Sequence, residues 1–489
     1  MRTRDQVLVT ERPLRKKIFI FLFSSFILGQ FFSASIYAQT PLPFDELGAG
    51  PRANAMGQAF TALADNPFAA YYNPAGLNQI DAPFSLTLGY QYAKPKVRVK
   101  FDIKPVQNPA LGTITYDREE DLSTRGLCLG LAADFSKVSA FSGSAIARRV
   151  AFGFALLANL PEYNQFDNPQ RPENPYLFKF TERWSLIAMA ISIGVELTDW
   201  LSLGGGIIPR VDAYQNSQGS WIDMSGVGDP NDRAGGFRSD FRIGTRLNAV
   251  PTGGILIKPP IRRLKKVFSL GACYRGEVWG FYGTGYTQIS LFEKNEGQDP
   301  NLIYYVPRGR IVNFVGFSPA QLSAGLAVKP WQGLTFTGGI TFKWYSKFHF
   351  FWDLVPFDRD ETGAKYENPF DDVWVCRLGM EYGFDPDLTL GYLKKVTQIS
   401  IQAGYYFEPS PVPDMNGPMN ILDSDQDVVS GGFGIEYDAQ WTGVVKLEVF
   451  FQSHFFRRNR LNNDRDALFG PITVSGAVYN TGVALSIVY

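Results

Sequence analysis

From Phe84 to the last residue, Tyr489, the sequence alternates between apolar and polar side chains with a period of two. A period of two is typical of a β-strand with one apolar and one polar face. The clearest example is 334–344, where bulky apolar residues occupy one face and threonines and a lysine occupy the other. The two faces are Leu334, Phe336, Ile340, Phe342 and Trp344 against Thr335, Thr337, Thr341 and Lys343. The chain is therefore predicted to be all-β.

Alternation of this kind also occurs in soluble β-sandwiches, so two architectures stay open at this point. Two further features favour a transmembrane antiparallel β-barrel. The chain ends with Leu485, Ile487 and Tyr489 on one face, which resembles the terminal strand signal read by the bacterial outer-membrane assembly machinery. Short and long connections also alternate along the chain, as they do in outer-membrane barrels. We therefore predict a multi-pass barrel in the outer membrane of a Gram-negative bacterium, surrounded by outer-membrane lipids.

About fourteen strands can be placed between residues 84 and 489, and an even number suits a bacterial barrel. The predicted strands are 84–101, 122–137, 147–160, 179–198, 200–215, 238–258, 266–293, 305–329, 333–349, 371–384, 395–408, 427–438, 441–456 and 473–489. Pro95 and Pro209 fall inside predicted strands, where proline interrupts the hydrogen-bond ladder. These two positions are candidate weak points in the barrel wall.

The segment from Leu47 to Leu77 lacks this alternation and is rich in glycine and alanine. Short side chains let backbones approach closely, so such a segment can pack inside a wider structure. Asp65 or Asn66 could cap a short helix, and Asn73-Pro74 marks a turn or stop. We predict that residues 39–83 form a plug, or hatch, in the lumen of a barrel spanning 84–489. A surface loop is the alternative. A phosphate-binding loop is disfavoured because the segment lacks the Gly-Lys-Ser/Thr motif that such a loop needs.

The amino terminus has the layout of a secretory signal peptide. A basic stretch, 12–17, precedes an apolar run, 18–32, and the small residue Ala38 offers a cleavage site. Residues 1–38 are therefore predicted to be a signal peptide. An uncleaved membrane anchor is the alternative, but the apolar run is short for a span of about 20 residues.

Composition excludes several classes of function. Basic and acidic residues are equal at 47 each and form no basic stripe, so no nucleic-acid partner is expected. Three distant cysteines form no zinc motif. The sequence Asp423-x-Asp425-x-Asp427 lacks the glycine and the glutamate that complete a calcium loop. His454 follows Ser453 directly, and strand neighbours point to opposite faces, which argues against a catalytic dyad. We expect neither an enzyme nor a cofactor.

Several segments resemble the outer-membrane long-chain fatty-acid and aromatic hydrocarbon transporter family, of the FadL/TodX type. The segments are 57–60, Ala64-Asp65, Tyr72-Asn73-Pro74-Ala75-Gly76-Leu77, 374–382, 403–406, 410–414 and 423–432. Their order and spacing are more specific than any single motif. The resemblance implies a 14-stranded barrel with an amino-terminal hatch. It also implies passive transport of a hydrophobic small molecule, with long-chain fatty acids first and aromatic hydrocarbons next.

Candidate site residues follow from the predicted faces. Lys343 and Arg377 face the lumen and could attract a carboxylate head group, as could Arg52 in the plug. Salt bridges within the wall are the alternative for these charges. Apolar ligand contacts are predicted from the bulky plug residues, although packing against the wall would use the same side chains. These residues are Phe60, Leu63, Phe68, Tyr71 and Tyr72, and the predicted gating residues are Asn73, Pro74, Ala75 and Gly76.

The predicted path has three steps. A ligand first partitions onto outer-loop residues Phe348, Phe350, Phe351 and Trp352, then moves into a pocket against the plug. A rearrangement around Asn73-Pro74 then releases it, with a sideways exit as one route. The alternative function is that of a carrier or binding partner for secreted surface proteins, because plugged barrels with a similar Asn-Pro-Ala-Gly-Leu segment serve a secretion system. A general porin is disfavoured by the plug.

Overall fold

The computed structural model describes residues 45, 47–103, 114–120, 123–138, 144, 149–161, 176–177, 186–220, 239–279, 283–293, 301–313, 317–347, 370–386, 396–412, 421–439, 443–461 and 472–489. Fourteen strands within these residues form one closed antiparallel barrel, and a fifteenth, short strand of the same sheet, Ile114–Glu120, pairs with the first of them. In chain order they are β1 (Phe84–Ile103), β2 (Thr124–Asp134), β3 (Val150–Pro161), β4 (Leu186–Thr198), β5 (Leu201–Ser220), β6 (Ser239–Ile257), β7 (Phe268–Arg275), β8 (Gln321–Trp331), β9 (Leu334–Lys343), β10 (Val373–Phe384), β11 (Val396–Glu408), β12 (Gln426–Ala439), β13 (Gly443–Leu461) and β14 (Ile472–Val488).

The sheet closes because β1 pairs with β14 on one side and with β2 on the other. Ser85 lies opposite Val488 and Lys100 lies opposite Thr473, so the first and last strands pair over most of β1. Closure gives backbone groups a partner within the protein, which lipid cannot supply. The prediction of an antiparallel transmembrane barrel of about 14 strands is confirmed.

The two ends of the barrel differ in their connections. At the tight-turn end, β4 joins β5 through residues 199–200 and β8 joins β9 through residues 332–333. At the long-loop end, the connection from β5 to β6 spans residues 221–238 and that from β9 to β10 spans 344–372. Outer-membrane barrels have short periplasmic turns and long extracellular loops.

Strands β7 and β8 are shorter than predicted. The sequence pattern predicted continuous strands over 266–293 and 305–329, but β7 ends at Arg275 and β8 begins at Gln321. The residues between them form a separate hairpin, Gly283–Glu293 with Asn301–Asn313, and a short pair, Val278–Trp279 with Phe317–Ser318. A hairpin in a separate sheet has the same period of two, so alternation does not show where a barrel strand ends.

The outer surface of the barrel is apolar. On β10, Trp374 and Leu378 point outward and are 55% and 62% exposed, whereas Val375 between them points inward and is buried. Bulky apolar side chains on the outer faces of β1, β8, β13 and β14 are exposed in the same way. Lipid accommodates such a surface and water does not. Among the described helices, none has both the length and the apolar character needed to cross a membrane.

Residues 47–82 lie inside the barrel, and we call them the lumenal segment. Pro51 begins its first helix, α1 (Pro51–Ala55), as expected for a residue whose missing N–H is not needed there. The second helix, α2 (Ala69–Tyr72), ends at Asn73, and a 3-10 helix (Pro74–Gln79) follows. The other short helices are α3 (Arg262–Lys265) and the 3-10 turns Phe135–Lys137 and Tyr345–Lys347. The helical structure is therefore interrupted at Asn73-Pro74, where the sequence predicted a turn.

Pro209 coincides with missing ladder pairs on one side of its strand. Pairing of β4 with β5 is absent between Ile191–Ile207 and Ala188–Arg210. The cause is that proline has no N–H to donate. The register is the same on both sides of this gap, so the ladder is interrupted without a bulge. The residues opposite Pro95 on the β2 side lie outside the described residues, so the prediction for Pro95 stays a prediction.

Candidate functional site

Glycines of the barrel wall allow the lumenal segment to touch the backbone of the strands. A Cβ atom on Gly204 would lie 2.2 Å from the backbone nitrogen of Ala75. A Cβ atom on Gly404 would lie 2.0 Å from the backbone nitrogen of Gly57. Contacts this close exclude a side chain on the wall. Small residues of the lumenal segment therefore pack directly against small residues of the barrel strands.

Inward-facing serines satisfy carbonyl groups of the lumenal segment. The hydroxyl of Ser192 donates to the Ala70 carbonyl at 2.8 Å, and that of Ser269 donates to the Ala62 carbonyl at 3.0 Å. Ser430 donates to the Ala55 carbonyl and accepts from the Gly57 N–H, both at 3.0 Å. Buried backbone groups need such partners because water does not reach them. Serines from three separate strands thus hold the segment against the wall.

Asn73 holds the middle of the lumenal segment. Its amide nitrogen donates to the carbonyls of Thr61 at 2.8 Å and Ile255 at 3.1 Å, and its oxygen accepts from the Ala75 N–H at 3.1 Å. One side chain thereby joins two parts of the segment and the wall strand β6. Pro74 and Ala75 pack on Gly204, and Gly76 packs on Ala64. These contacts place the four predicted gating residues where any displacement breaks several bonds together.

Arg52 joins the lumenal segment to the wall near the tight-turn end. Its guanidinium donates to both carboxylate oxygens of Glu381, at 2.6 and 2.8 Å, and to Asp65 at 2.5 Å. Burial by itself raises the pKa of Asp65, but the charges of Arg52 and Lys329 outweigh it and lower that pKa below its usual value. We call Arg52, Asp65 and Glu381 the lower ion cluster.

A cavity of about 880 Å³ opens beside the lower ion cluster. Its lining is rich in charged groups, including Glu436, Lys446 and Glu448 in addition to the cluster itself. Lys446 donates to Glu436 at 2.5 Å. Sites for hydrophobic ligands are mainly apolar, so this space suits water rather than a hydrocarbon.

A second buried cluster lies toward the long-loop end. The Asp45 carboxylate accepts hydrogen bonds from Arg275, Tyr71 and Ser318. The Arg275 guanidinium also stacks over the Tyr71 ring, 3.9 Å from its centroid. Sequence reasoning missed Asp45 and Arg275. The alternation of side chains along β7 could have located Arg275. Leu270 and Tyr274 face outward, so Arg275, the next residue after Tyr274, faces the lumen.

Lys343 and Arg377, the two wall cations predicted from the sequence, differ in their partners. Lys343 is fully buried and donates to Glu408 at 2.8 Å, so its charge is balanced within the wall. Arg377 is also buried, donates to the Thr341 hydroxyl at 2.9 Å and lies 5.2 Å from the centre of the Tyr406 ring. Among the described residues, Arg377 forms no ion pair with a carboxylate.

Arg377 and Lys343 line a small cavity of about 30 Å³ together with residues of the second cluster. Its lining residues are Asp45, Gln58, Thr61, Tyr71, Tyr72, Arg275, Gln321, Ser323, Thr341, Lys343 and Arg377. A volume of this size holds a water molecule or little more. A larger ligand needs the lumenal segment or the wall to move. We call this space the central cavity.

The predicted apolar contacts are only partly brought together. Tyr71 and Tyr72 line the central cavity, and the Tyr72 hydroxyl accepts from the Ala49 N–H at 3.0 Å. Burial, opposed by that hydrogen bond, raises the pKa of Tyr72 to about 12, so it stays neutral. Phe60, Leu63 and Phe68 line neither of the two cavities and are buried in the core.

Residues considered for other chemistry have ordinary partners. Asp427 accepts from Arg457 and from the Tyr405 hydroxyl on the outer surface, and Asp425 accepts from the Ser410 N–H. The His454 ring contacts Gln426 and Gln452. No group of three or more His, Cys, Asp or Glu side chains in the described ranges could hold a metal ion.

Comparison with known proteins gives a clear likeness only at the level of structure. No protein-family model matches the sequence, and no curated protein matches it. A deletion mutant (deltaS2) of the TodX monoaromatic hydrocarbon channel is 16% identical with a TM-score of 0.52, over 91% of this chain and 100% of that chain. The P. putida toluene transporter TodX is 15% identical with a TM-score of 0.50, over 91% and 99%. A Pseudomonas aeruginosa FadL homologue is 15% identical with a TM-score of 0.46, over 92% and 98%.

At these identities the likeness establishes the fold. The chain has the β-barrel fold of the TodX channels over nearly its whole length. The resemblance inferred from the sequence is confirmed at that level.

Proposed function

We propose that this protein carries hydrophobic small molecules passively across the outer membrane, and that long-chain fatty acids are its main substrates. The observation that carries this proposal is the position of Arg377. Its buried guanidinium has no carboxylate partner among the described residues and lines the central cavity beside Tyr72. Arginine binds a carboxylate through two parallel hydrogen bonds, which suits the head group of a fatty acid.

The lumenal segment supports transport by rearrangement rather than through an open pore. The proposal assigns residues 39–83 the role of a plug and residues 1–38 that of an export signal. A plug held by serine hydroxyls and close glycine contacts would stop free diffusion of polar solutes. Because the central cavity is too small for a fatty acid, loading requires the segment around Asn73-Pro74 to shift.

The neighbouring structures bear on the substrate class. The TodX proteins are described as toluene transporters and monoaromatic hydrocarbon channels, and their fold agrees with a hydrophobic cargo here. Toluene has no charge, whereas the central cavity of this chain contains Arg377. A charged head group on an apolar tail fits this combination better than a plain hydrocarbon does.

The proposed route begins at the outer loops. The predicted first contacts, Phe348, Phe350, Phe351 and Trp352, lie outside the described residues. From the central cavity, a displaced lumenal segment would release the ligand toward the tight-turn end or sideways. The interrupted ladder at Pro209 is one candidate lateral opening, and Pro95, predicted from the sequence, is the other. The charged cavity beside the lower ion cluster makes a sideways exit the better route for an apolar tail.

Uptake in cells tests the proposal. A Gram-negative strain without its own fatty-acid uptake protein would be given this gene and supplied with labelled oleate, toluene or a small sugar. We expect oleate uptake well above the empty-vector strain and no gain in sugar uptake. A variant that lacks residues 47–82 should admit the sugar as well. Sugar uptake through the intact protein, or oleate uptake at the empty-vector rate, would overturn the proposal.

A further inference from the structure

The outer face of β1 changes character in order along the strand. From the tight-turn end it presents Phe84, Leu86, Leu88, Tyr90 and Tyr92, and it then presents a row of four basic side chains. The basic residues are Lys94, Lys96, Arg98 and Lys100, all exposed. Apolar side chains, then tyrosines, then cations is the order expected for a strand that runs from the membrane core to the membrane surface.

Strand geometry places the basic row at the membrane boundary. Phe84 and Tyr92 are roughly 27 Å apart along the strand, which corresponds to about 21 Å of membrane depth at a tilt near 40°. The apolar band of such barrels is about 25 Å tall. Lys94 therefore lies at the level of the lipid head groups, on the side of the long loops, and the row from Lys96 to Lys100 extends up to about 16 Å farther from the apolar band.

A neighbouring strand brings another cation to the same level. On β13, the outward residues Phe451 and Phe455 are 65% and 44% exposed, and Arg457 follows them. The ladder between β13 and β14 shifts between the pairs Phe456–Gly476 and Asn459–Val474, and Ser475, which lies between these pairs on β14, is opposite Arg98 of β1. Strands β13 and β1 are thus about 10 Å apart, with small residues of β14 between them.

The basic patch, defined as Lys94, Lys96, Arg98, Lys100 and Arg457, has five cations against four carboxylates described around it. Arg98 pairs with Asp117 at 2.6 Å and Arg457 pairs with Asp427 at 2.7 Å. Glu119 and Asp102 are further carboxylates near the patch. Lys100 lies opposite Asp117 in the strand ladder, and Lys94 and Lys96 form no ion pair with any described residue. Pairs as exposed as these two are weak, so the arginines can still turn toward another anion.

We propose that the basic patch binds a lipid head group that carries more than one phosphate, in the leaflet on the long-loop side. Neighbouring cations of β1 are about 6.8 Å apart along the strand, so the row from Lys94 to Lys100 spans roughly 20 Å. One phosphate can contact only one or two of them, whereas a head group with separated phosphates contacts the row together. The tyrosines and phenylalanines below it take the acyl chains. Lysines near a membrane surface attract anionic lipids in this way.

Native mass spectrometry of the full-length protein in detergent tests the proposal. The probes are diphosphorylated lipid A, the same lipid with its phosphates removed, and phosphatidylglycerol, which has one phosphate. We expect the wild-type protein to retain the diphosphorylated lipid at least about tenfold more strongly than either comparator. The triple variant K94E/K96E/K100E should lose at least about tenfold of that retention, and K94R/K96R/K100R should keep it.

A control separates the patch from general charge. The variant R263E/K266E alters exposed cations at the tight-turn end and should bind the lipid as the wild type does. If the triple glutamate variant fails to fold, the neutral variant K94Q/K96Q/K100Q takes its place, with folding checked by circular dichroism. Equal retention by the lysine variants, or equal binding of the dephosphorylated lipid or of phosphatidylglycerol, would overturn the proposal.

Discussion

Arg52 and Glu381 form a two-pronged ion pair across 329 residues of sequence, with the Arg52 Nε atom 2.6 Å from one carboxylate oxygen and its terminal nitrogen 2.8 Å from the other. One partner belongs to the lumenal segment and the other to the barrel wall. The pair is mostly shielded from solvent, with side chains 17% and 13% exposed. It is therefore a charged contact that ties the lumenal segment to the barrel wall.

Replacing Arg52 with methionine should loosen the lumenal segment. The change leaves the carboxylates of Asp65 and Glu381 close together without their shared cation, at a cost of about 3 kcal/mol. Hydrogen exchange of the segment amides should become about a hundredfold faster. Arg52→Lys keeps the charge but loses the two-pronged geometry, so its effect should be smaller. Unchanged exchange in Arg52→Met would show that the pair does not hold the segment.

The same cluster predicts a dependence on pH. The pKa of Asp65 in the folded protein lies below its usual value of 3.8, chiefly because the Arg52 charge outweighs burial. A lowered pKa contributes stability that is present above the unfolded value and is lost as pH falls through the folded value. Segment protection should stay constant from pH 7 to about pH 5 and fall below pH 3.8.

Hydrogen exchange corrected for intrinsic rates, measured from pH 7 to pH 3, checks this expectation. In Asp65→Asn the contribution of Asp65 is absent, so the fall at low pH should be smaller than in the wild type. A wild-type curve that falls between pH 7 and pH 5 would contradict the assignment to Asp65.

Two adjacent glycines of β5 give a matched test of the close packing. Gly204 faces the lumen, where a Cβ atom would lie 2.2 Å from Ala75, whereas at Gly205 the nearest atom is 3.9 Å away. Gly204→Ala should displace the segment at a cost of about 1 to 3 kcal/mol, and Gly205→Ala should not. Amide exchange of residues 73–80 distinguishes the two variants. Equal effects from both glycines would mean that the segment does not rest on Gly204.

Alternation was enough to predict the barrel because burial on one face and lipid on the other leave a period of two in every strand. The strand Leu334–Lys343 shows this directly, since Phe336 and Ile340 are exposed outward and Lys343 is buried inward. The same reasoning overextended β7 and β8. A hairpin in a separate sheet alternates equally well, so alternation alone does not show whether a strand belongs to the barrel.

The partners of the lumenal charges could not be predicted. The alternation of side chains placed Lys343 and Arg377 inside the barrel. It did not show that Lys343 pairs with Glu408, or that Arg377 has no carboxylate partner among the described residues. Such partners depend on the stagger between strands. Asp45 lies outside any alternating stretch, 230 residues from Arg275, so no local pattern joins the two.

In the proposed function, the barrel binds an amphipathic molecule whose carboxylate lies at Arg377. This contact can be measured by titrating purified protein with labelled oleate and with oleyl alcohol, in the wild type and in Arg377→Met. We expect saturable binding of both ligands by the wild type, with oleate weakened about tenfold or more in Arg377→Met and the alcohol unchanged. No saturable binding of either ligand, or equal weakening of both, would show that Arg377 does not hold the head group of a bound fatty acid.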